Sequence, residues 1–126
     1  SVSCMFALDI ALKRIEKEGM GSVYERHSTI GQFTRNGVKN LGLELFPVSE
    51  SIASNTCTAI KVPNSVDGSE LVRKMRVDHD VVLAGGQASL SGKIIRIGHM
   101  GITHEKDIQE TLDALSVVLP QVGFGT

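Results

Sequence analysis

The chain has 126 residues, with 13 basic and 14 acidic side chains and a formal net charge of −1. That length fits one domain spanning 1–126, and 41% hydrophobic with 21% charged residues describes a globular chain able to bury a core. The near-neutral balance argues against a nucleic-acid or polybasic membrane surface, and no apolar run reaches the roughly 18–20 residues a membrane helix needs.

The start, "SVSCMFALDI", lacks the basic region of a secretory signal. Periodicity predicts a first helix over about 3–18. Met5, Leu8, Leu12 and Ile15 recur at helical spacing, Asp9 and Lys13 form an i,i+4 pair, and Gly19 with Gly21 ends it. Val2 to Leu12 holds nine apolar residues out of eleven. An apolar stripe suits a surface helix, whereas this one needs cover from more than one direction. A partner surface near the N-terminus is therefore expected. Together with the absent initiator methionine, it suggests that the chain is one piece of something larger.

A second helix is expected over about 22–40, with Val23, Ile30, Val38 and Leu41 on its core side and His27 and Thr34 on or near that stripe. "LELFPV" reads as a short strand broken by Pro47. "TCTAIKVP" alternates as a strand, with Thr58, Ile60 and Val62 on one face and Cys57, Ala59 and Lys61 on the other. Asp67 with Glu70 is a capping-box pattern opening a third helix. "VVLAGG" and "KIIRIGHM" are the next two strands, and Thr103 is expected to cap a last helix whose Ile108, Leu112, Leu115 and Leu119 face the core. The order ααββαββα describes an α+β two-layer sandwich: helices covering a small, largely antiparallel sheet.

Several familiar chemistries fail on spacing. "AGGQASLSGK" is not G-x-x-x-x-G-K-[ST], because five residues separate Gly86 from Gly92, and Ile94 follows Lys93. His99 and His104 lack companion ligands at metal spacing, so no metal site is expected. His27 reads as a satisfied, partly buried residue, and His79 in "VDHD" as part of a solvated turn. Cys57 lies within a strand with nothing to mark it as an activated thiolate, and no G-x-S-x-G elbow is present. Two widely spaced cysteines predict a reducing compartment, with the cytoplasm as the expected location.

Arg96 is the residue that demands an explanation. It interrupts Ile94, Ile95 and Ile97, sharing a strand face with Ile94 and Gly98. Two readings stand side by side. In one it is paired with a carboxylate inside the protein, or reaches the rim with its stem packed. In the other its planar fork is held on a rigid strand beside glycines, where a small anion can approach and be bound bidentately.

"KIIRIGHMG", preceded by "VVLAGGQASLSG" and followed by "THEKDIQETLDAL", resembles the C-terminal small domain of class V aminotransferases. These are pyridoxal-phosphate enzymes of fold type I, among them alanine–glyoxylate and serine–pyruvate or serine–glyoxylate aminotransferases, some labelled soluble hydrogenase subunits. The likeness extends through "ALDIALKRIEKEGMGSVYERHSTIGQFTRNGVKNLGLELFP" and "TAIKVP", nearly the whole chain. It implies that Arg96 binds the carboxylate of an amino- or 2-oxo-acid substrate, with alanine or serine and glyoxylate or pyruvate as the class. It implies that Gly85 to Gln87 lie near the domain cleft, and no catalytic role is carried onto them.

The resemblance also implies homodimers and a cofactor, pyridoxal phosphate, whose lysine, pyridine-nitrogen carboxylate and most phosphate ligands belong to a large domain. No segment of this sequence corresponds to that domain. Lys61, Lys74 and Lys93 fall in small-domain motifs, and none is the cofactor lysine. Residues about 1–20 are then expected to pack on the large domain, and the chain alone to bind no pyridoxal phosphate and to be inactive. The competing expectation is a non-catalytic interaction module, or a hydrogenase-associated subunit, in which Arg96 is structural.

Overall fold

The structure, a computed structural model, describes residues 1–125. Helix α1 spans Val2–Glu18 and α2 spans Met20–Asn40. Gly19 alone breaks them apart, at a φ of 83° that glycine adopts without steric cost. Gly21, expected as a second terminator, instead lies in the first turn of α2. Glycine can adopt helical dihedrals there at an entropic cost of only about 0.5–1 kcal/mol relative to alanine, too little to stop the helix.

Among the described residues three strands form one antiparallel sheet in the order β1–β3–β2: β1 Cys57–Lys61, β2 Ala84–Gly85 and β3 Ile94–Gly98. Two expected strands are shorter than read. "LELFPV" contributes one bridge, Leu45 to Ile60, because Pro47 lacks a donor and Val48 is 97% exposed. "VVLAGG" contributes only Ala84 and Gly85. On its N-terminal side the Val81 amide is bonded to the Met75 carbonyl at the exit of the preceding helix. On the other side Gly86 enters a tight turn in which a Cβ would land on the Leu90 carbonyl.

Helix α3 spans Gly68–His79, and the Asp67 carboxylate accepts from the amides of Ser69 and Glu70 at 2.8 and 3.1 Å. Glu70 does not reach back as the capping box expects; it pairs with Arg73 one turn on. Helix α4 spans Glu105–Gln121, and its N-cap is His104 rather than Thr103. The reciprocal half of the cap decides between them. Three residues after His104 stands Asp107, whose carboxylate accepts from the His104 amide at 2.8 Å; three after Thr103 stands Lys106, which cannot accept.

Helices α2, α3 and α4 cover one face of the sheet. Ile60, Ile95 and Ile97 meet Val38, Leu71, Met75, Ile108, Leu115 and Val118 there in a single core. This is the expected two-layer α+β sandwich. The opposite face carries Cys57, Ala59, Ala84, Arg96 and Gly98. Helix α1 packs along α2 and has no buried residue. None of the described helices is long and apolar enough to cross a membrane.

Candidate functional site

The register of the sheet places Arg96 on the central strand, opposite Ala59 of β1 and Ala84 of β2. Ile94 and Gly98 flank it along β3, so small side chains surround it on three sides. Its guanidinium is half-buried. Nε and Nη2 both donate to the Gly85 carbonyl, at 3.2 and 3.0 Å. Among the described residues no carboxylate lies within ion-pairing distance of it, and Nη1 has no partner. Arg96 is thus neither paired with an internal carboxylate nor free. It is held by a neutral acceptor, which satisfies two donors and leaves the positive charge uncompensated.

The histidines are spoken for. His99, which follows β3, is 1% exposed. It donates from Nδ1 to the Asn55 carbonyl at 3.1 Å, so its Nε2 accepts from the Thr58 hydroxyl at 2.9 Å. Burial above all, with the nearby Arg35 charge, holds its pKa below the ordinary value against the opposing pull of the Asn55 carbonyl, and this favours the neutral ring. His27 accepts from the Gly101 amide at Nε2 (3.1 Å) and faces the Val23 carbonyl with Nδ1 (2.7 Å). His79 ends α3 rather than lying in a turn, because the left-handed residue that stops the helix is Asp80. His104 is exposed at the start of α4. Among the described residues no three His, Cys, Asp or Glu side chains converge on a metal position.

Two arginines escaped the sequence reading. Arg35 is 5% exposed on α2. It reaches the Ser54 carbonyl at 3.1 Å, Gln32 at 3.2 Å and Asn55 at 3.3 Å, with Glu50 3.7 Å from Nε. It ties α2 to the segment entering β1. Only its place on the Ile30–Thr34–Val38 side of α2 could have signalled burial. Arg26 forks onto Glu18 at 2.7 and 2.9 Å across the α1–α2 break and donates to the Gly101 carbonyl at 2.6 Å. Arg26 and His27 together pin the loop after β3 to the helix junction. Beside them an apolar groove of about 390 Å³ runs between α1, α2 and that loop, lined by Ala7, Ile10, Ile15, Val23, Met100 and Ile102.

The lysines do not converge on a cofactor position. Lys61 pairs with Glu44 at 2.9 Å and Lys74 with Asp78 at 3.6 Å, while Lys93 is exposed at the entry to β3. The glycine-rich turn from Gly86 to Gly92 leads into a strand and not a helix, so it offers no helix N-terminus to a phosphate.

No protein-family model matches the chain. It is similar to the soluble hydrogenase small subunit of a Synechococcus strain, 37% identical over 98% of this chain and 32% of that protein. It is also 35% identical to a serine–glyoxylate aminotransferase of Arabidopsis thaliana, over 98% of this chain and 31% of that one. Among solved structures, alanine–glyoxylate aminotransferase from Nostoc sp. superposes with a TM-score of 0.86 at 30% identity, over 90% of this chain and 30% of that one. The chain spans about a third of the length of the curated relatives it matches.

Proposed function

We propose that this chain, which belongs to the class V aminotransferases as their C-terminal small domain, serves amino-group transfer between a small amino acid and a 2-oxo acid by holding the substrate carboxylate on Arg96. Alanine or serine as donor, and glyoxylate or pyruvate as acceptor, are the substrates the relatives' names support. The observation that carries the role is the guanidinium on the central strand, anchored by a carbonyl and unneutralised by any carboxylate among the described residues. A rigid strand fixes such a group well, and a fixed carboxylate orients the α-carbon for proton removal.

Pyridoxal phosphate is the cofactor the family implies. The residues of this chain do not form its cradle: the lysines are ion-paired or exposed, and the glycine-rich turn opens no helix. We therefore assign the cofactor to a large domain outside this sequence and derive no step through it here. In the same reading residues 1–126 are one small domain, residues about 1–20 pack on the large domain, the enzyme is a cytoplasmic homodimer, and this chain alone is inactive.

A second reading is favoured by one observation. Because its donors engage Gly85, Arg96 could serve only to close the sheet edge of an interaction module. The hydrogenase-associated alternative is not favoured, since the structural neighbours at 30% and 36% identity are an alanine–glyoxylate and a pyridoxamine–pyruvate aminotransferase.

Substitution decides the matter. Arg96→Lys in the full-length enzyme keeps a charge and loses the fork, so kcat/KM should fall by about ten- to a hundredfold, the worth of a charge-assisted bond. Near-normal kcat/KM would overturn the carboxylate role.

A further inference from the structure

The hydrogen-bond ladder shows why Gly85 is able to receive Arg96. The Gly86 amide bonds to the Ile94 carbonyl at 3.0 Å, so Gly86 and Ile94 form a hydrogen-bonded pair. In an antiparallel ladder bonded and non-bonded pairs alternate. Ala84 with Arg96 is then bonded again, while Gly85 with Ile95 is a non-bonded pair. The Gly85 carbonyl therefore points away from β3, out of the free edge of the sheet.

To reach it, the Arg96 side chain has to cross β2, and the register puts Ala84, its direct neighbour on the same face, on that route. Alanine is small enough to pass beneath it. The direction of approach then selects which donors remain. Nε and Nη2 are turned to Gly85, and Nη1 with the second hydrogen of Nη2 is turned away from it.

Resting on the carboxylate reading of Arg96, we propose that Ala84 and the Gly85 carbonyl are positioning groups. They turn the guanidinium so that a substrate carboxylate docks end-on, through Nη1 and Nη2. Ala84 supplies the open path and Gly85 the anchor. Gly86 keeps the anchor in place, since any Cβ there would strike the Leu90 carbonyl and shift the edge strand. Neither Ala84 nor Gly85 touches the substrate.

The test uses the full-length enzyme and three variants. Ala84 is exposed on an edge strand and valine is a good strand residue, so Ala84→Val should fold normally while its branched side chain blocks the arginine's path. KM for the 2-oxo acid, and the competitive inhibition constant of acetate, should both rise about five- to tenfold with kcat within about twofold. Ala84→Gly reopens the path and should restore both constants. Where valine lowers the melting temperature, Ala84→Thr repeats the obstruction with a polar branch.

If Arg96→Lys is impaired while Ala84→Val and Ala84→Thr bind acetate like the parent, the positioning role is overturned and the carboxylate role survives. If Arg96→Lys is itself unimpaired, both fall. Equal loss in Ala84→Gly and Ala84→Val would also overturn it, since an open path would then confer nothing.

Discussion

Helices α1 and α4 are both 17 residues long and both rich in apolar side chains, yet they meet opposite fates. Helix α4 packs on α2 and α3 and buries Ile108, Leu112, Ala114, Leu115, Val118 and Leu119 in the core shared with the sheet. Helix α1 buries nothing, and its Val2, Met5 and Phe6 are 73%, 65% and 69% exposed. Apolar content therefore does not decide burial; the number of elements that meet the helix does. Helix α4 has a polar side that accepts water, and one stripe is enough to seat it. Helix α1 is apolar on several sides and meets α2 and, across a groove, the loop after β3, which leaves a hydrophobic surface of the kind that marks an interaction site.

Breaking the α4 side of this contrast should cost most. Leu115→Ala removes a fully buried side chain and should lower unfolding free energy by about 2–5 kcal/mol in denaturant titration. Thr58→Val should cost about 1–3 kcal/mol in the same measurement, since it leaves His99 Nε2 buried without a donor.

The pH dependence follows from the same ring. Burial lowers the pKa of folded His99 below its ordinary 6.5, so as pH falls through that value the unfolded chain takes up a proton the folded chain refuses. Stability should be level above about pH 7 and decline below the ordinary histidine range, and His99→Gln should flatten that decline in a series of melting curves. Smallest of all, Leu8→Ser on α1 should change unfolding free energy by less than about 0.5 kcal/mol. It should nonetheless reduce self-association in sedimentation or light scattering. A large stability loss there would show that α1 belongs to the core after all.

Much of the fold was legible because its signals are local. Gly19, Asp67 and the alternation of Thr58 and Ile60 each act within a few residues. What misled were places where two groups compete for the same position or atoms, whether near in the chain or far along it. His104 won the cap of α4 over Thr103 because Asp107 lies at the right offset to reach back. The "VVLAGG" strand shrank to two residues because its ends are claimed by α3 and by the Leu90 turn. Arg35 was invisible as a buried residue because its acceptors come from Ser54 and Asn55, far along the chain. At the candidate site, the strand and the face of Arg96 could be read, while its partner could not.

By itself the sequence determined that an arginine would stand on a strand among isoleucines, that the domain would be a small α+β sandwich, and that the first helix would want cover. These follow from periodicity and composition, which need no knowledge of who is beside whom. Only the tertiary structure decided that Arg96 meets a carbonyl and not a carboxylate. That outcome depends on the pairing parity of β2 with β3, which turns Gly85 outward and sets Ala84 opposite the arginine. Register is a property of two segments brought together, and neither segment carries it alone.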